Sequence, residues 1–114
     1  MKAVILAFAL ALIAAPALAE TVAPADAGKH VGQTVTIEGA VSNVHTTGSG
    51  MTFIDMGGRY PDNPFTAVIF SDDAGKFPDA DDFDGKTVDI TGPVRLYKGK
   101  PEIILKSADQ IKIK

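Results

Sequence analysis

Apolar and polar residues alternate along most of the chain, and this alternation predicts a series of short β-strands. In residues 33–42, Val35, Ile37 and Val41 fall on one face of the first predicted strand, and mostly polar side chains take the other. Gly39 interrupts that strand. A glycine in the middle of a strand indicates a bend or a bulge, as at the corner of a barrel.

In the second predicted strand, residues 51–56, the charged residue Asp55 indicates which face points to solvent and which to the core. An unpaired buried carboxylate is costly, so Asp55 is expected to face outward. Phe53 has the same parity and is therefore predicted on the same open face. Thr52, Ile54 and Met56 are predicted to point into the core.

Three more strands are predicted over residues 65–70, 86–94 and 102–106, with one short alternating piece at 108–113. Residues 71–85 break the pattern and connect the third strand to the fourth. The sequence thus predicts an all-β fold, a small five-stranded OB-fold Greek-key barrel with a short helical or irregular connection between strands 3 and 4. An SH3-like barrel is the competing fold, and the position of the long connection favours the OB-fold. The inward parity predicts a core of Ile37, Val41, Ile54, Val68, Val88, Ile90, Ile103 and Leu105.

The start of the chain differs from the rest. Residues 2–19 hold one lysine, a long apolar run and small residues at Ala17 and Ala19, the layout of a secretory signal peptide cleaved before Glu20. An uncleaved membrane anchor is the alternative, because the run approaches the roughly 20 apolar residues that span a bilayer. Pro16, near the end of the run, favours cleavage. The predicted organisation is a signal peptide over 1–19, a flexible spacer over 20–30 and an OB-fold domain over 31–114. The protein is then periplasmic or secreted, with no stable membrane span after cleavage.

Composition narrows the classes of function. A chain of 114 residues predicts one domain and excludes a two-domain enzyme. The absence of cysteine excludes a disulfide scaffold, a thiolate zinc site and a cysteine nucleophile. The net charge is −3 and becomes −4 when Lys2 leaves with the signal peptide, which argues mildly against strong non-specific binding of a polyanion.

Motifs for catalysis or metal binding are weak. The two histidines, His30 and His45, are expected in a spacer and a loop, and no serine–histidine–acid arrangement stands out. The aspartates from Asp79 onward resemble the start of an EF-hand, but the fifth ligand position falls on Phe83 and the twelfth on Ile90. The chain is therefore predicted not to be an enzyme and to hold no metal or cofactor.

Basic residues gather in the last part of the chain. From Arg95 to the C-terminus there are six basic residues against two acidic ones. Arg95, Tyr97, Lys98 and Lys100 fall on the turn between strands 4 and 5, which flanks the ligand face of an OB-fold. Such a set can hold a phosphate backbone and stack a base. A charged hairpin tip that only keeps the edge soluble is an equally good interpretation of the spacing.

Several segments resemble OB-fold nucleic-acid-binding domains. The Thr-Phe-Ile-Asp-Met segment, residues 52–56, is similar to the second strand of anticodon-binding OB domains, in which the aromatic at the place of Phe53 stacks on a base. The Gly-Arg-Tyr-Pro loop at 58–61, the Phe-Thr-Ala-Val-Ile strand at 65–69 and the Tyr-Lys-Gly-Lys-Pro-Glu-Ile turn at 97–103 resemble a bacterial group of small exported OB domains, some of them fused to nucleases. No nuclease segment is recognisable, so the resemblance implies no cleavage activity. The contacts it implies are Phe53, Arg59, Tyr60, Arg95, Tyr97, Lys98 and Lys100.

The expected activity is weak, sequence-tolerant binding of single-stranded nucleic acid. The alternative is an envelope module that binds a protein or an oligosaccharide partner through the same face, since OB-folds also hold such ligands. A third possibility is binding of cationic or small ligands through the acidic connection.

Overall fold

The computed structural model describes residues 19–114, which form eight β-strands joined by turns and short 3-10 helical segments. The strands are β1 (Glu20–Val22), β2 (Thr34–Thr46), β3 (Thr52–Met56), β4 (Phe65–Ile69), β5 (Thr87–Pro93), β6 (Arg95–Tyr97), β7 (Lys100–Ile104) and β8 (Ile111–Ile113). The 3-10 segments are Pro24–His30, Ser71–Lys76, Ala80–Phe83 and Ala108–Gln110. Residues 1–18 of the predicted signal peptide lie outside the described residues. Within residues 19–114, no helix has the length and apolar character needed to cross a bilayer.

The strands form one sheet in the order β6-β7-β4-β3-β2-β5-β8, with β1 added in parallel to β2. The long β2 holds the sheet together, because its first half pairs with β5 and its second half with β3. β4 and β7 pair in parallel, whereas the other neighbours along this order are antiparallel. The long strand β2 therefore lies between β3 and β5, and β4 lies beside β7, which is the Greek-key order of an OB-type fold.

The prediction of five strands in a closed barrel is wrong on both counts. The described residues form eight strands, and the sheet is open, with β6 and β8 at its two edges. β6 was not foreseen because it follows β5 after a single residue, Val94, whose backbone N–H donates to the Gln33 carbonyl at 2.9 Å. After that bend, the three residues of β6, which the sequence pattern placed on the turn, form a separate strand that pairs with β7.

Residues 20–30, predicted as a flexible spacer, instead pack on the sheet. β1 pairs with the start of β2, and the segment Pro24–His30 buries Pro24 and Ala27. Gly39 accounts for this close packing, because a Cβ atom at its position would lie 2.7 Å from the Cγ atom of Pro24. The bulge expected at Gly39 is found a little later, between Val41 and Asn43.

All eight predicted core residues are buried, and seven of them join one hydrophobic cluster. Val68 is the exception. It is 2% exposed, but it lies on the opposite face of β4 from Ala67 and pairs with Phe53 of β3. Because β4 is apolar on both faces, the period of its sequence does not distinguish the core side from the other side.

The connection between β4 and β5 has the short helical character that the sequence predicts. It consists of two 3-10 segments, and Phe77 between them joins the hydrophobic core. Lys76 fixes the first segment, since its Nζ donates to the Lys106 carbonyl at 3.0 Å. Within residues 19–114, no group of three or more acidic or histidine side chains is arranged to hold a metal ion.

Candidate functional site

A row of polar side chains crosses five strands on the face opposite the core. Strand register places Asn43 of β2 beside Asp55 of β3, then Thr66 of β4, Glu102 of β7 and Arg95 of β6. Neighbouring positions on these strands, such as those on either side of Asp55 and Thr66, point into the hydrophobic core. The polar row therefore belongs to the outer face of the sheet.

A second row, aromatic and apolar, runs beside the first. It starts at His45 on β2 and continues through Phe53, Val68 and Ile104. The rings of His45 and Phe53 are stacked, with centroids 6.4 Å apart and planes inclined by 20°. His45 thus belongs to a strand and not to the predicted loop. Phe53 is half-buried and offers part of its ring to the surface.

Six residues of these rows form the floor of a groove of about 810 Å³: Asn43, Asp55, Thr66, Glu102, His45 and Phe53. The loop between β3 and β4 and the β6–β7 hairpin border it. Both lie at the same end of the sheet, because β4 and β7 start there in parallel. Tyr60 on the loop and Tyr97 on the hairpin are 73% and 52% exposed, so their rings are accessible to a ligand. Six of the seven residues predicted from the sequence line this one groove: Phe53, Arg59, Tyr60, Tyr97, Lys98 and Lys100.

Arg95, the seventh predicted residue, is bonded inside the protein. Its Nε donates to Oε2 of Glu102 at 2.8 Å, and only 9% of the Glu102 side chain is exposed. Burial raises the pKa of Glu102, while the charge of Arg95 and its hydrogen bond act in the opposite direction. Arg95 therefore compensates a carboxylate of the floor through its Nε, and it does not itself line the groove.

Lys100 also bonds to the protein. Its Nζ donates to the carbonyls of Pro61 and Asn63, the latter at 3.3 Å, and lies 5.6 Å from the ring centroid of Tyr60. The side chain thereby ties the β6–β7 hairpin to the loop between β3 and β4. Lys100 thus shapes the groove through these bonds, and the contact with a ligand expected from the sequence stays a prediction.

Lys98 and Arg59 are the remaining cations of the groove. Lys98 is in the left-handed region, with φ of 52°, and Gly99 follows with φ of 80°, as in a two-residue type I′ hairpin. This turn places the Lys98 Nζ 5.4 Å from the ring centroid of Tyr97. Among residues 19–114, neither Lys98 nor Arg59 forms an ion pair.

Asp55 is the principal residue whose role the sequence did not reveal. It points away from the core as predicted, but it is only 4% exposed, because the loop that carries Asn63 covers it. Oδ1 of Asp55 accepts from Thr66 Oγ1 at 3.1 Å and more distantly from Asn63 Nδ2 at 3.5 Å. Burial raises the pKa of Asp55, and the hydrogen bonds from Thr66 and Asn43 oppose this rise. The sequence could have placed Asp55 on the groove floor, because it has the same parity as Phe53. It could not have placed Glu102 there, because the position of Glu102 depends on pairing between strands that are distant in the sequence.

Comparison with known proteins gives likeness in fold only. No family model matches the chain, and no curated protein matches it. A crystal structure described as an aspartyl-tRNA synthetase from Leishmania major aligns over 83% of the chain with a TM-score of 0.55 and 20% identity. An aspartyl-tRNA synthetase from Entamoeba histolytica aligns over 75% with a TM-score of 0.50 and 22% identity. The chain spans about a fifth of the length of each, and what it shares with them is an OB-type fold.

Proposed function

We propose that the protein is an exported binding module, not an enzyme, whose groove binds single-stranded nucleic acid weakly and with little sequence preference. One observation carries this proposal. Two stretches that are far apart in sequence, residues 53–60 and 97–100, bring six of the predicted contact residues to a single groove with Phe53 on its floor. The resemblance of residues 52–56 to base-stacking OB strands supports the same ligand.

The chemistry of the groove suits a single strand. Phe53, already stacked on His45, offers an aromatic surface on which a base can stack. Base stacking of this kind tolerates sequence, because every base has a π-face. Arg59 and Lys98 border the groove and can meet the phosphates, whereas the acidic connection does not line it. Two cations without ion pairs supply few phosphate contacts, which agrees with weak binding.

Fluorescence anisotropy with short labelled single strands tests the proposal. Binding should weaken as salt rises, with a slope of log K against log salt of about −1.4 for two phosphate contacts, because each contact releases counterions. A glycan or protein partner is the second candidate, since the buried Asp55 and Glu102 could accept hydrogen bonds from hydroxyl or amide groups. Binding of an oligosaccharide that hardly changes with salt, together with no binding of any strand at low ionic strength, would replace the first proposal by the second.

The two lysines of the hairpin should respond differently to removal. Lys98→Ala removes a cation from the groove border and should reduce the steepness of the slope of log K against log salt by about 0.7, the value for one phosphate of a single strand.

Lys100→Ala should weaken binding with a smaller change in slope, because it loosens the loop that carries Tyr60. Anisotropy titrations at several salt concentrations measure both quantities. Lys106→Ala, exposed and outside the groove lining, is the control, and an equal change in slope for Lys98→Ala and Lys106→Ala would contradict a contact at Lys98.

Export predicts a defined mature N-terminus. Cleavage after Ala19 leaves a chain that starts at Glu20, which is also the first residue of β1, so the strand stays whole. Intact-mass measurement of protein from the cell envelope should give the mass of residues 20–114. Full-length protein held in the inner membrane would instead support the uncleaved anchor.

A further inference from the structure

We infer that Asp55 makes the groove select single strands by the exocyclic amino group of a base. The bases favoured are adenine, cytosine and guanine, and those disfavoured are thymine and uracil. This inference rests on the proposed function and adds to it a preference at one position only, the base that stacks on Phe53, while the rest of the strand is bound with little sequence preference.

The two rows of the groove floor carry the argument. Phe53 and Asp55 point to the same side of β3 and are two positions apart, which is about 7 Å along the strand. A base that overlaps the Phe53 ring can therefore turn its polar edge along β3 toward the polar row. The first side chain that it meets on that strand is Asp55.

The chemistry of Asp55 favours a donor at that edge. An ionised carboxylate only accepts hydrogen bonds. The groups that donate to it, on Thr66, Asn63 and Asn43, are neutral, and at 4% exposure it has little contact with water. A hydrogen bond donated by a ligand would therefore stabilise the negative charge of Asp55 more than it would stabilise the charge of a carboxylate exposed to water.

The bases differ in what they offer to such an acceptor. Adenine, cytosine and guanine each carry an amino group, whereas thymine and uracil carry carbonyl oxygens at the corresponding places. Thymine and uracil keep one ring N–H, but a carbonyl lies on each side of it and would meet the carboxylate with like partial charge.

Glu102, the other buried carboxylate of the polar row, is less able to make this selection. Its Oε2 already accepts from Arg95 at 2.8 Å, and the guanidinium compensates its charge. Asp55 forms no ion pair within residues 19–114, so its acceptor capacity is the one that a ligand can complete.

The test changes the ligand first. Anisotropy titrations compare a deoxyadenosine strand with one in which purine replaces adenine, and a guanine-containing strand with one in which hypoxanthine replaces guanine. Each replacement removes an amino group and leaves the ring stack nearly unchanged. Loss of the amino group should weaken binding about tenfold, the lower range for one base-specific hydrogen-bonded contact.

The second arm changes the protein. Asp55→Asn should reduce the difference between each pair of strands, since the oxygen of a neutral amide is a weaker acceptor than a carboxylate. Asp62→Asn is the control. Asp62 lies in the loop between β3 and β4, is exposed and does not line the groove, so this variant changes the charge equally and should keep the difference in affinity between each pair of strands. If Asp55→Asn does not fold, the comparison of strands on the wild-type protein decides.

The outcomes separate this inference from the function beneath it. Equal affinity for strands with and without amino groups, while Phe53→Ala still weakens binding, would overturn the selection by Asp55 and leave the proposed function intact. A full amino preference in a folded Asp55→Asn protein would overturn it as well. Absence of binding to every strand at low ionic strength would remove both.

Discussion

Ile90→Ala should lower the free energy of unfolding by about 2–5 kcal/mol, the range measured for large-to-small substitutions at buried positions. Ile90 is fully buried and lies at the centre of β5, where it pairs with Ile37 of β2 on one side and Ile111 of β8 on the other. Its removal leaves a cavity where three strands meet. Urea unfolding followed by circular dichroism measures the change, and a small domain has little stability to spare.

Ile113→Ala is the matched control, because it removes the same atoms from a neighbouring strand. Ile113 is 52% exposed at the edge strand β8, and its truncation should change the free energy of unfolding by no more than about 0.5 kcal/mol. Similar losses for the two variants would mean that β5 does not point Ile90 into the core.

Where a strand buries only one face, the alternation of apolar and polar residues was sufficient to predict which side chains are buried. Val88 and Ile90 alternate with polar residues, and their burial follows from that alternation. Val68 shows where the pattern fails, because β4 is apolar on both faces and only the strand neighbours determine which face meets the core. The extra strands β1 and β6 are three residues each, too short to show a period of their own, whereas β8 falls within the short alternating piece at 108–113.

The candidate site was predictable as a set of residues but not as a set of bonds. Phe53 was found by parity, through the energetic cost of burying Asp55, and the structure places Phe53 in the groove. That Arg95 pairs with Glu102, and that Lys100 binds the carbonyl of Asn63, depends on contacts across the sheet that spacing along the chain does not reveal. Asp55 itself is buried by a loop, which the alternation of a strand cannot foresee.

Phe53→Ala should weaken the binding of single strands by about 1–3 kcal/mol, the usual loss for one stacked base. The loss should be nearly the same at every salt concentration, because stacking releases no counterions. Phe53 also covers Val68 and stacks on His45, so the variant should lose some stability, but less than Ile90→Ala. Anisotropy titrations on protein shown to be folded measure the change in affinity.

Two controls isolate the stacked ring. Phe53→Tyr keeps an aromatic face and should retain most of the affinity, whereas Phe70→Ala removes a ring that is 36% exposed but lies outside the groove lining and should leave binding unchanged. If Phe53→Ala binds strands as tightly as the wild type, the ring is not the stacking platform. If Phe53→Ala and Phe70→Ala weaken binding equally, the effect reflects general loss of aromatic surface, and the groove does not position the base.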